Sequence, residues 1–521
     1  MSLLGARVAG PNADAHPALV SRRVHDLTLA AISGLIALAL ALGIAVSVPN
    51  PSVWAVAAII VGVVVLLYLM VSPNYAVTLT IVALYLGVLD GPVKLESAHQ
   101  AASAVRNVLI LAVVIGMLVR LAVSKQEIRM PPLSGWVVAF TGVVLIQAFN
   151  PSTHGFLKVV GGFRQQLEFV PFFFFGYMLI RTKLRFRQLF LIIGVLALVN
   201  GLVGSYQSRL TPAQLASWGP GYSARIEGTS GVSKRTYTTE GESKPRPPGL
   251  GPDSGFSGGM GAMAVPGLLA LLTVGRLRRR WVALVLLAGA LIGIAAAASR
   301  SSLIIGVVAL LSYAGLSVIA HLKVGRLLVG VLVALGLAFG VASAFTSYAG
   351  KNSLHRQETI TSSFEGNGGG RAGKERNLLQ LPTDISGAPF GSGLGTGGSA
   401  GGLGGKQRVT IEGRGVSREG SLNLLVVETG APGLLLWVGL SLNVLALALL
   451  RLRRIADPEL RTYLVAVFAV FIAFTANGFA GPTLAGTPGG TYLWFACGIA
   501  SYWFAGEGYR KARLSTQTRS P

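Results

Sequence analysis

Two arginines stand where an apolar sequence makes a guanidinium costly. Arg300 follows Ala295 to Ala298 and precedes the run Leu303 to Leu311, with no acidic residue beside it. A cation in such a setting must find a counter-charge, line a wet cavity or snorkel to the interface. The guanidinium fork matches phosphate and carboxylate oxygens. Arg300 therefore points to anion binding, with a phosphorylated lipid headgroup as the natural ligand and snorkelling as the plainer reading. Arg246 lies in Lys244-Pro245-Arg246-Pro247-Pro248-Gly249-Leu250-Gly251-Pro252-Asp253, just ahead of an apolar run. Proline stiffens that approach and glycine permits close backbone contact. Such a frame would hold the side chain at a membrane surface; otherwise it is an ordinary solvated loop arginine.

The acidic candidates are fewer. Arg164 and Glu168 are four residues apart and share a helix face, as an ion pair or as part of an anion site. Glu419 and Glu428 frame the start of another apolar run, in Arg418-Glu419-Gly420-Ser421 and Val427-Glu428-Thr429-Gly430-Ala431-Pro432-Gly433. Either carboxylate could act as a general base within hydrogen-bond reach of an acceptor hydroxyl, and either could serve as a cap or surface group. Metal chemistry finds little support: His99 and His154 have no ligand-spaced partners, and Cys497 is the single cysteine. The glycine runs Gly366 to Gly370 and Gly391 to Gly405 read as turns, not as a phosphate-binding fingerprint.

These residues must be held by membrane elements. Hydrophobic residues make up 52% of the chain and charged residues 12%, with a mean hydropathy of +0.62. About fourteen apolar runs recur, each near the roughly 20 residues that cross a bilayer, beginning with Leu27 to Val48 and Val53 to Val71. The expected fold is all-α, with one polytopic domain over 27–505 between cytoplasmic segments 1–26 and 506–521. Long loops are expected at about 208–255 and 348–420. The net charge is +24. Of the 44 Lys and Arg, 24 fall in the termini and in turns such as Arg181 to Arg187, Arg276 to Arg280 and Arg451 to Arg461, against four in the short turns of the opposite side and 16 in the two long loops or near Arg106. The positive-inside rule then puts those turns and both termini in the cytoplasm and the long loops outside. That distribution argues against nucleic acid as partner. No small-residue cleavage site follows Leu27 to Val48, which reads as a retained helix. The first long loop is rich in Gly, Pro, Ser and Thr and should not bury a core by itself.

With these residues in place, the chain resembles the O-antigen ligase and polymerase superfamily of bacterial membrane glycosyltransferases. Arg246-Pro247-Pro248-Gly249 is similar to the family's Arg-x-x-Gly element, and Ser299-Arg300-Ser301 to its hairpin tip. The segment from Arg371 to Pro389-Phe390-Gly391-Ser392-Gly393-Leu394-Gly395 is similar to the stretch ending in Pro-Leu-x-Gly-x-Gly. Leu424 to Leu434, with Glu428-Thr429-Gly430, is similar to the helix start that follows the catalytic-loop histidine. The resemblance spans about residues 150 to 440 in matching order.

It implies a GT-C-like, metal-independent and cofactor-free transfer of glycan from undecaprenyl diphosphate at the outer face of the bacterial inner membrane. Arg246 and Arg300, with Arg164, would bind the diphosphate and stabilise the leaving charge. Membrane lipids and a chain-length regulator or flippase are the implied partners. Where ligases carry histidine, this sequence has Glu419, which shifts weight from transfer to a lipid A core toward a polymerase or another glycan ligase. The competing class is a transporter or flippase of lipid-linked oligosaccharide, since intramembrane arginines also suit a translocation path.

Overall fold

A computed structural model of the protein describes residues 75–97, 100–123, 130–153, 155–228, 235–239, 242–274, 277–322, 324–349, 379–398, 410–411, 414–415, 420–479 and 481–514. The expected helices Leu27 to Val48 and Val53 to Val71, Glu419, and most of the second long loop lie outside them. The chain forms two compact units, Met1–Leu79 with Val108–Arg129, and Thr80–Asn107 with Met130–Pro521. What is described of the first is helical: the start of α1 (Tyr75–Leu84) and most of α3 (Gln100–Val123).

The second unit holds every described candidate residue and is built from helices. After α2 (Asp90–Ser97) come α4 (Ser134–Gln147), α5 (Phe156–Leu167), α6 (Pro171–Leu179) and α7 (Lys183–Gln207). Two short helices follow, α8 (Pro212–Ala216) and α9 (Pro220–Glu227), then a hairpin of β1 (Thr236–Thr239) and β2 (Glu242–Pro245). The helices α10 (Phe256–Val274), α11 (Leu277–Ala296), α12 (Arg300–Ile319) and α13 (Val324–Ala349) come next. An unlabelled helix over 379–387 precedes the glycine turn. A two-residue pair, β3 (Thr410–Ile411) with β4 (Arg414–Gly415), leads to α14 (Ser421–Arg451), α15 (Pro458–Asn477), α16 (Gly489–Ala500) and α17 (Glu507–Leu514).

Five of these helices are long and apolar enough to cross a membrane: Lys183–Gln207, Phe256–Val274, Arg300–Ile319, Ser421–Arg454 and Pro458–Asn477. Shorter apolar helices cover Val105–Leu118, Ser134–Gln147, Arg280–Ala296 and Leu332–Tyr348. The protein is thus mostly helical, with membrane-length apolar helices among the described residues.

Helix α10 lies at the centre of the second unit, buried from Phe256 to Leu271 and packed against α7, α11, α12 and α15. Its sequence allows this, because Gly258, Gly259, Gly261, Ala262, Ala264 and Gly267 let neighbouring backbones approach closely. Helix α14 instead leaves Leu435, Leu442 and Leu450 exposed on one side, as a lipid-facing helix does.

Two expectations change. The connection that apolar patterning leaves over 150–164 is helical from Phe156 onward, as α5, because Lys158, Gly161, Gly162 and Gln165 form one buried stripe at helical spacing. The first long loop is also more ordered than its composition suggests. Thr211 and Gln214 close a reciprocal cap on α8, with Pro212 in its first turn. Leu215, Tyr222 and Ile226 then bury themselves against Leu95 of α2. The loop builds its core with a residue borrowed from another segment, which its own composition could not reveal.

Candidate functional site

The Arg246 turn is anchored from below by α7. Gln207 is fully buried and holds both backbone groups of Gly249: its Nε2 donates to the carbonyl at 3.0 Å, and its Oε1 accepts from the N–H at 2.9 Å. Asn200, also fully buried, accepts from the N–H of Leu250 at 2.9 Å and donates to the carbonyl of Gly87 at 2.7 Å. Two amides inside an apolar helix thereby replace the hydrogen bonds that a turn packed against a helix would otherwise lack. From above, the Arg246 N–H donates to the Arg235 carbonyl at 2.9 Å. Arg246 itself is half-buried.

The same turn carries the Arg300 hairpin tip. Gly255, nine residues beyond Arg246, presents its carbonyl to Ser302 Oγ at 3.2 Å. Gly258, in the first turn of α10, lies against the Ser302 side chain. Arg300 is the first residue of α12 and is half-buried. Arg246 and the start of α12 are thus joined through one segment, residues 246–258. The structure gives both a common scaffold although they stand far apart in sequence.

Further cations gather beside that segment. Arg225 Nη1 pairs with Asp253 Oδ1 at 2.8 Å. The Asp253 side chain is more than half exposed, and the charges of Arg225, Lys94 and Arg235, with the Arg225 hydrogen bond, hold its carboxyl down to about 2. Lys94 is pushed down by burial and by the neighbouring Arg106 and Arg225 charges, against Asp253 and Asp90. Around Asp253, then, positive groups are in excess, a setting that favours an added anion.

Arg164 belongs to a different cluster. Its Nε lies 4.0 Å from Glu168 Oε2, the expected pair. Glu168 is held more tightly by Arg106, whose Nε and Nη2 donate to its two oxygens at 2.5 and 2.9 Å. Arg106 Nη1 also reaches Asp90 at 3.0 Å. Two arginines and two carboxylates balance, and Asn107 can bridge Glu168 and Arg164 once its amide is turned to suit both. Arg106 lies 62 residues from Glu168, so spacing could not reveal the pair.

Glu428 occupies a third setting. It is fully buried and accepts from Gln165 Nε2 at 3.1 Å, Gln166 Nε2 at 2.8 Å and the Gly397 N–H at 3.3 Å. The carboxylate thus ties α5 and the glycine turn to α14. Two residues on, α14 breaks at Gly430, with φ 68° and ψ −168°. In an unbroken helix the Ala431 N–H would bond to the Val427 carbonyl. Here Val427 accepts from Ser392 at 2.6 Å, and Ala431 donates to Pro389 at 2.8 Å. One helical bond is exchanged for two bonds to the turn over 388–398.

One polar pair in this region was not singled out by the sequence. Asp384, in the 379–387 helix, is 5% exposed and accepts from Asn423 Nδ2 at 2.8 Å. Burial raises its carboxyl above the usual range, with the Asn423 bond opposing. Among the described residues no group of three His, Cys, Asp or Glu side chains converges as a metal site would require. No protein-family model, curated protein or solved structure matches the chain.

Proposed function

We propose that this protein transfers a glycan from an undecaprenyl diphosphate carrier to a growing chain or another acceptor, as a polymerase or ligase. The reaction takes place at the extracytoplasmic surface of the bacterial inner membrane. The frame is GT-C-like with about fourteen spans and both termini in the cytoplasm. One observation carries the reading: the segment that bears Arg246, held by Asn200 and Gln207, also bonds through Gly255 to Ser302, in the first turn of the helix that Arg300 begins. In the reaction the acceptor hydroxyl oxygen attacks the anomeric carbon. The bond from that carbon to the diphosphate oxygen breaks, undecaprenyl diphosphate leaves with the electron pair, and the hydroxyl proton passes to a base.

Arg246 and Arg300 balance the charge growing on the leaving diphosphate, and fixed donors of this kind are worth about 10²–10³ in rate each. Glu419 is the proposed base. Glu428, with its oxygens already accepting from Gln165, Gln166 and Gly397, acts as a positioning residue. Arg246→Gln and Arg300→Gln should each lower glycan transfer by about 10²-fold, with Arg246→Lys intermediate. Lipid-linked repeat units, assayed by side of the membrane, should accumulate outside. Accumulation inside would overturn the transfer reading and favour a flippase or exporter.

A further inference from the structure

Lys158 has no part in that proposal, yet its placement is unusual. Its residue is 4% exposed, although it bears an ammonium group. Among the described residues no hydrogen bond or ion pair reaches that group. Lys158 is the third residue of α5, a helix whose N-cap is Gly155, at φ 95° and without a side-chain cap. The N-terminal N–H groups of a helix concentrate positive potential. Helical side chains lean toward that same end, so the stem of Lys158 and the dipole of α5 favour an anion at one place.

The surroundings are strongly apolar. Phe156 and Leu157, in the same turn of α5, are 79% and 61% exposed. Phe390 is 74% exposed, and its carbonyl is held by Gln147. Phe149 is 89% exposed, and the next residue, Asn150, donates to the Gly391 carbonyl at 3.1 Å. The glycine turn then passes Lys158 itself, with Gly395 against the Lys158 carbonyl. Lys158 and an uncapped helix end thus share one turn of α5 with the exposed Phe156 and Leu157, and the glycine turn that packs on that turn carries the exposed Phe390. That combination matches an amphiphile with an anionic head.

We propose that Lys158 and the first turn of α5 bind the phosphate of a membrane lipid, whose hydrocarbon chain lies over Phe149, Phe156, Leu157 and Phe390. The site uses neither Arg246 nor Arg300 and needs no transfer activity. It is tested on the full chain, purified and delipidated in detergent, by native mass spectrometry. Farnesyl diphosphate, phosphatidylglycerol and inorganic pyrophosphate serve as probes. Farnesyl diphosphate stands for a prenyl carrier and phosphatidylglycerol for a bulk phospholipid, so the tighter of the two identifies the source.

Lys158→Gln should weaken binding of the lipid phosphates about tenfold, as loss of a charge-assisted contact does, while Lys158→Arg retains it. Phe156→Ser, at an exposed position that spares the fold, should weaken farnesyl diphosphate and leave pyrophosphate unchanged. Arg246→Gln and Arg300→Gln should leave the site intact, which separates its failure from that of the transfer reading. Equal binding by Lys158→Gln and the wild type would overturn the site. Equal affinity for pyrophosphate and farnesyl diphosphate, or no effect of Phe156→Ser, would overturn its assignment to a lipid.

Discussion

Gln207 makes two hydrogen bonds to the backbone groups of Gly249, which belong to two successive peptide planes, from a fully buried position. Leucine there keeps the volume and removes both, so the Gly249 N–H and carbonyl lose their partners inside the protein. Gln207→Leu should cost about 2 kcal/mol of stability, read as a fall in melting temperature of the detergent-purified chain. It should also disorder the approach to Arg246 while leaving Arg164 and its neighbours undisturbed. The sequence exposes such residues unevenly. Arg246 and Arg300 are conspicuous because charge is rare in apolar surroundings. Asn200 and Gln207 carry the same signal more faintly, as amides within an apolar helix. Arg106, by contrast, finds Glu168 across 62 residues, and only the fold could pair them. Glu428 was recognisable as a carboxylate in an apolar run, but its three donors come from α5 and the glycine turn, so its setting could not be read from its neighbours.

Segments differ in the same way. The Pro389 to Gly395 stretch is recognisably a turn from its glycines, but its seat against α5 is not. Gly395 has φ 69°, and a Cβ there would collide with the Lys158 carbonyl oxygen. Gly395→Ala should therefore destabilise by about 1–3 kcal/mol. Gly142, inside α4, has open space around it. Gly142→Ala should stabilise by about 0.5–1 kcal/mol through helix propensity alone. Denaturation midpoints of the two variants should move in opposite directions, and a shared sign would contradict the geometry described. The first long loop shows why composition misleads. Its apolar residues are sparse, yet Leu95 completes the cluster of Leu215, Tyr222 and Ile226.

The helix ends remote from the Arg246 turn are joined by their own charges. Lys183, at the start of α7, reaches Asp457 at 2.7 Å and Glu459 at 3.3 Å. Arg187 pairs with Glu459, and Tyr463 donates to the same carboxylate at 2.8 Å. Asp457 also caps α15, accepting from the N–H groups of Glu459 and Leu460. Burial acts to raise its carboxyl, but the Lys183 and backbone bonds prevail and lower it. A lowered carboxyl stabilises the fold fully above its unfolded value, near 4, and that contribution disappears as pH falls through the folded value. Melting temperature should therefore decline on acidification below about pH 4. Asp457→Ala should lose about 1 kcal/mol at neutral pH and show a smaller decline. A parallel acid profile in the variant would rule out this group as a source of the slope. Apolar helices of membrane length were legible from composition, since hydrocarbon thickness fixes their length. The ion pairs between their ends were not, because a charge run reads as topology until its partners are known.

The break at Gly430 has a kinetic consequence. Ser392 and Ala431 donate across the junction of turn and helix, in place of the single internal bond that α14 gives up. Neither amide can open unless the two strands of chain separate together. Their hydrogen–deuterium exchange should accordingly run in step, slower than at the surface of the turn and decoupled from the part of α14 that follows Gly430. The stretch of that helix before Gly430 behaves as a hinged plate belonging to the turn, and any motion of the glycine segment would carry Glu428 with it.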